Sequence, residues 1–198
     1  MIALGLDLSL RRTGWARVES FGVPSIPFEV EAGTIATLPG LRVLKPLQRT
    51  KRKQYTRLPA DTGGRIAKIT SELERLTYLD DPPDIIVIES PSLGSAGSTT
   101  NLSQLSGLYW HTVAQLCEHY PIAAVAPATR AKYATGDGRA DKTSVVAATV
   151  ARYELGFDQE DEIDAFVLAA MGLRHLRAPL EQELPAECLD AMSTVLWP

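Results

Sequence analysis

The chain has 198 residues, 45% of them hydrophobic and 22% charged, with a net charge of −4. Those values fit one soluble globular domain with a substantial core, and no apolar run approaches the roughly 20 residues that cross a bilayer, which excludes a membrane-spanning helix. Cys117 and Cys188 lie far apart without companion ligands, so neither a disulfide framework nor a zinc site is expected.

Met1 to Ser9 (MIALGLDLS) predicts the first strand. Ile2, Leu4, Leu6 and Leu8 share one face at period two, and Ala3, Gly5, Asp7 and Ser9 share the other. The second face is small residues around one carboxylate, which suits close approach of a metal or cationic partner. Leu10 to Gly14 reads as a short turn, Trp15 to Glu19 as a second strand, and Phe28 to Thr37 as a third, ending before Pro39-Gly40.

Leu41 to Ala60 has no period and reads as a long loop. It carries Arg42, Lys45, Arg49, Lys51, Arg52, Lys53 and Arg57 with no acid among them. The acids concentrate at 158–164 and 181–190, so the charge is polarised despite its negative sum. Such a loop is either a solvated insertion or an arm that contacts phosphates.

From Asp61, Ile66, Ile69, Leu73 and Leu76 recur at helical spacing, and Asp81-Pro82-Pro83 stops the helix. Asp84 to Ser90 (DIIVIES) is a continuous apolar run ending in Glu89, the pattern of a strand buried on both faces. A small-residue loop from Pro91 to Gly97 leads to a helix over Thr99 to His119 and a strand over Ile122 to Ala126. Pro127 opens a short helix, Asp141 caps one through Tyr153, and Gln159 to Leu176 forms the last strong helix, with Asp158 as its expected N-cap. A further amphipathic helix beyond Pro179 is only weakly signalled. The element order predicts an α/β fold in which a mixed five-stranded sheet, three antiparallel strands then two parallel, carries helices on both faces.

Carboxylates stand where propensity would not put them. Glu89 closes an apolar strand, and Asp164 shares its helical stripe with Val167, Leu168 and Met171. Buried carboxylates pair, bind a metal or stay protonated. Asp161 shares the face of Asp164, although acids in a first helical turn also simply favour the helix dipole. If strands one and four are neighbours, Asp7 and Glu89 converge at one end of the sheet and the helical pair can cover them. Four carboxylates without His or Cys suit Mg²⁺ or Mn²⁺, and two such ions activate water and stabilise the leaving oxygen in phosphodiester cleavage. The scattered His111, His119 and His175 are given no role.

GLDLSLRRTGWA, DIIVIESP, DKTSVV and DEIDAFVLAA, in that order, resemble the motifs of the RuvC-like Holliday junction resolvases of the ribonuclease H-like superfamily. The resemblance runs to about Leu176 and omits the basic loop and the tail. It implies a ribonuclease H-like nuclease domain over 1–178 followed by a tail at 179–198. It further implies a homodimer that binds branched DNA, above all four-way junctions, and nicks two strands symmetrically with Mg²⁺ or Mn²⁺. By motif position Asp7, Glu89, Asp161 and Asp164 match the catalytic, metal-binding acids. Lys142 and, less closely, Lys132 fall where the family keeps phosphate-contacting lysines; the alternative for each is a surface charge. The family's Pro-Gly after the first acid is Leu8-Ser9 here, and the loop after the second acid offers Leu93 in place of an aromatic wedge. Arg49, Lys51, Arg52 and Lys53 would broaden binding to other branched DNA. Such divergence fits a compact virus-encoded resolvase. The chain opens directly on a strand, so a cytoplasmic location is expected, bacterial or that of an infected host.

Three other readings share these residues: a nuclease of the same superfamily acting on RNA or simpler DNA, a catalytically idle junction binder, and a sugar-kinase or actin-like ATPase. The last needs two related lobes, for which 198 residues leave no room.

Overall fold

The computed structural model describes residues 1–22, 28–37, 59–77, 81–91 and 99–198. Five strands form one sheet: β1 (Ile2–Asp7), β2 (Arg12–Glu19), β3 (Glu29–Ala36), β4 (Ile85–Glu89) and β5 (Ile122–Val125), in the order β3-β2-β1-β4-β5. β1 pairs antiparallel with β2, β2 antiparallel with β3, and β1 and β5 flank β4 in parallel. The mixed sheet is the one expected. β2 starts earlier than its hydrophobic alternation suggests, because Arg12, Thr13 and Gly14 continue the ladder opposite Ala36, Ile35 and Thr34. The expected turn therefore shrinks, and Thr13 Oγ1 closes it by donating to the Ser9 carbonyl at 2.7 Å.

Strand parity sorts the two faces. Leu4, Leu6, Leu8, Ile86 and Ile88 pack with Ile69, Leu73 and Leu76 of α1 (Pro59–Thr77) and with Leu108 and Leu116 of α2 (Thr99–Leu116). Ala3, Ala16, Val18, Ile85 and Val87 face α5 (Glu160–His175), whose run from Ile163 to Leu173 is buried throughout. α3 (Pro127–Thr135) and α4 (Lys142–Tyr153) complete this second layer through Tyr133, Val145 and Tyr153. α1 begins at Pro59, so the last residues of the expected basic loop are helical.

The small face of β1 exists to admit α5. A Cβ on Gly5 would stand 1.9 Å from the Ala165 carbonyl oxygen and 2.7 Å from the Ala169 nitrogen, and one on Gly14 would stand 1.9 Å from the Asp161 carbonyl oxygen. Both obstacles are helix backbone, which has no rotamer to give. Gly5→Ala is therefore expected to destabilise the fold by about 1–3 kcal/mol or more, seen as a melting temperature lowered by several degrees; an unchanged melting temperature would contradict this packing.

Two details differ from the sequence reading. Gln159, not Asp158, is the N-cap of α5, without a side-chain hydrogen bond, so the dipole is met by Glu160, Asp161 and Glu162 in the first turn. Beyond α5, residues Leu180, Leu184, Cys188, Ala191 and Val195 are buried in the α5-side core. Cys188 lies in a short helix α6 (Ala186–Leu189) and Ala191 in a 3-10 turn over Asp190–Thr194. The segment is anchored on α3 and α5: Glu181 accepts hydrogen bonds from Tyr133 Oη (2.9 Å) and Arg174 Nη2 (2.5 Å), and Trp197 stacks on His175. No helix among the described residues is long and apolar enough to cross a membrane.

Candidate active site

The odd residues of β1 and β4 point to α5, so Asp7 and Glu89 lie on that side. The parallel register Leu6↔Ile88 sets them next to each other at the carboxyl ends of neighbouring strands. Gly14 lets the first turn of α5 descend over them and bring in Asp161 and Asp164. All four acids line one cleft of about 290 Å³, together with Arg130 and Lys142. The cleft shares Ser90, Pro91, Pro127, Arg130 and Lys142 with a second groove of about 580 Å³ between α3 and α4.

Each acid has a different electrostatic setting. Asp164 is almost fully buried and contacts Arg130 Nη1, with Lys142 Nζ 3.9 Å from its other oxygen. Glu89 Oε2 accepts from Arg130 Nε at 2.5 Å. Asp161 pairs with Arg12 Nε at 3.0 Å on the rim. Among the described residues, no ion pair reaches Asp7. Burial pushes its carboxyl from 3.8 up to about 7, with Glu89 and Asp161 adding to the rise and Arg130 and Lys142 opposing it.

That shift has a sign that can be checked. Between about pH 4 and 7 the folded chain keeps a proton that the unfolded chain has released, so stability falls as pH rises through this window. In chelator, the melting temperature of the wild type is expected to drop relative to Asp7→Asn across the window and to run parallel above it. Parallel curves throughout would contradict the shift.

Lys142 is placed by a cap. Asp141 accepts a hydrogen bond from the Ser144 backbone at 2.7 Å, which also lowers the Asp141 carboxyl pKa, and α4 starts at Lys142. Its ammonium then sits at the cleft, 3.4 Å from Glu160 Oε2. Lys132 is not among the lining residues; its Nζ pairs with Asp190 of the C-terminal segment. Arg49, Lys51, Arg52, Lys53 and Leu93 lie outside the described residues.

Sequence reasoning missed Arg130 and Arg12. Arg130 had a usable signal: it falls on the stripe of α3 that includes Tyr133 and Ala134, and all three are buried. Arg12 had none, since it fell within the expected turn.

The donors are all oxygen, which suits a hard divalent ion such as Mg²⁺ or Mn²⁺ and not zinc. Among the described residues, no three His, Cys, Asp or Glu side chains stand ready as one ligand set, and Arg130 engages both Glu89 and Asp164. The fit is therefore one of donor chemistry, with Asp7 and the oxygens that Arg130 leaves open as the available ligands.

No protein-family model matches the sequence, and no curated protein matches it. Solved structures do. Thermus thermophilus RuvC aligns with a TM-score of 0.60 at 15% identity, over 90% of this chain and 98% of that one. The same organism's RuvC in complex with a Holliday junction substrate gives 0.61 at 12% identity, over 89% and 96%. The yeast mitochondrial Holliday junction resolvase gives 0.51 at 14% identity, over 88% and 82%. The chain thus has the ribonuclease H-like α/β fold of these resolvases.

Proposed function

From a RuvC-like fold with four carboxylates gathered in one cleft, we propose that the chain is a metal-dependent endonuclease that nicks branched DNA, four-way junctions above all. The observation that carries this reading is the convergence of Asp7, Glu89, Asp161 and Asp164 with Lys142 at the carboxyl ends of β1 and β4. Acids collected at the cost of mutual repulsion need a positive partner, and the likeness to a resolvase bound to its junction supports DNA as the substrate.

Asp7 and the free oxygens of Glu89, Asp161 and Asp164 would hold Mg²⁺ or Mn²⁺. Such an ion, when bound, lowers the pKa of a water nucleophile and stabilises the leaving oxygen. The protein's own part is to place the scissile phosphate. Lys142 at the rim offers an ammonium to a non-bridging oxygen, and the groove between α3 and α4 receives the neighbouring nucleotide. As a ligand, Asp7 would have to be in its carboxylate form, giving up the proton that burial otherwise favours near neutral pH. The basic residues between Arg42 and Arg57 would add sequence-independent phosphate contacts, and Leu93, which follows the second acid in sequence, would act as an apolar wedge. A homodimer presents two clefts and so nicks paired strands.

The test is strand-by-strand mapping of products from a four-way junction, a flap and a linear duplex in Mg²⁺. Paired nicks at symmetric positions of the junction, with the duplex spared, are expected. Equal cutting of the linear duplex would contradict the structure-selective reading.

A further inference from the structure

Nothing in that reaction calls for a guanidinium between two of its carboxylates, yet Arg130 stands there. Its side chain is 7% exposed, with Nε 2.5 Å from Glu89 Oε2 and Nη1 against Asp164 Oδ1. Arginine does not lose its proton in a protein, so this is a permanent positive charge. Its fork spans two carboxylates at once, which a single ammonium cannot do.

The group is also held in place. Pro127 opens α3, and Tyr133 and Ala134 bury the face that carries Arg130. The C-terminal segment grips the same helix through Asp190 on Lys132 and Glu181 on Tyr133. Withdrawing Arg130 would take away the guanidinium partner of Glu89 and leave the buried Asp164 with Lys142 at 3.9 Å as its described cationic neighbour, an arrangement that is destabilising.

We propose that Arg130 is the resident cation of this cleft. Its guanidinium occupies the position between Glu89 and Asp164 that a second divalent ion would otherwise take, so the cleft binds one divalent ion. The inference rests on the metal-dependent reading above and narrows it: Arg130 is a positioning residue that fixes two of the carboxylates and sets the ion count.

The experiment counts Mn²⁺ bound per chain by electron paramagnetic resonance, without DNA, in the wild type and in Arg130→Gln, each purified in Mn²⁺. One ion is expected in the wild type and two in Arg130→Gln. The rise in melting temperature on replacing chelator with Mn²⁺ is also expected to be larger in the variant. Two ions in the wild type would overturn this proposal and leave the metal-dependent reading standing, whereas none in either protein would overturn both. A folded Arg130→Gln that still binds one ion overturns the proposal, as does a variant unfolded with and without Mn²⁺, which would make Arg130 purely structural.

Discussion

Asp7→Asn is expected to slow junction cleavage by about a hundredfold to a thousandfold or more, by comparison with the loss of one charge-stabilising group in other active sites. Asparagine keeps the size of the side chain and one carbonyl oxygen but removes the anion that an Mg²⁺ or Mn²⁺ ion needs. Junction affinity measured in chelator is expected to stay within a few-fold, because the substitution leaves Lys142 and the other cations assigned to phosphates unchanged. The fold is expected to hold and even gain at neutral pH. Burial already makes the ionised Asp7 carboxyl unfavourable, raising it to about 7, and a neutral amide escapes that cost. An inactive variant with an equal or higher melting temperature separates a catalytic acid from a structural one. An active Asp7→Asn, or one that no longer binds the junction, would contradict the assignment.

Neutralising Lys51, Arg52 and Lys53 together is the second large effect. If each cation sits on one phosphate, removing three flattens the slope of log affinity against log salt by about 2.7. Over a fourfold change in salt that slope amounts to about 40-fold in affinity. The variant is therefore expected to bind far more weakly at low salt and to approach the wild type as salt rises. Cleavage of DNA already bound is expected to proceed at the wild-type rate, since the proposal assigns the three to phosphate contacts and not to the carboxylate set. A salt slope unchanged by the triple substitution would make the segment a bystander.

The site's scaffold was legible because it rests on strict periodicities. Period two put Asp7 opposite to Leu4 and Leu6 in β1, and a run of Ile and Val ending in Glu89 marked β4 as a central strand. The 3.6-residue stripe of α5 marked Asp164 as buried. What such patterns cannot carry is which cation faces which acid. The segment from Pro127 to Thr135 offers Arg130 and Lys132, and the motif resemblance favoured Lys132. Packing decides the matter: Arg130 shares the buried stripe with Tyr133, while Lys132 turns to Asp190, a partner 58 residues away. Glycines were half legible. The small face of β1 announced a close approach, but only tertiary structure shows that the backbone of α5 makes it, at Ala165 for Gly5 and at Asp161 for Gly14. The C-terminal segment was least legible, since a four-residue helix has no period to read and its order comes from Leu180, Leu184 and Val195 packing into the α5-side core.

The central claim is that the carboxylate cleft cuts DNA with the help of a divalent ion. The most direct measurement incubates an end-labelled four-way junction with the wild type in Mg²⁺, in Mn²⁺ and in chelator, and resolves the strands under denaturing conditions. Nicked strands are expected with either metal and none with chelator. A junction that is retarded on a native gel yet remains uncut in both metals would contradict the claim and leave a DNA-binding protein in its place.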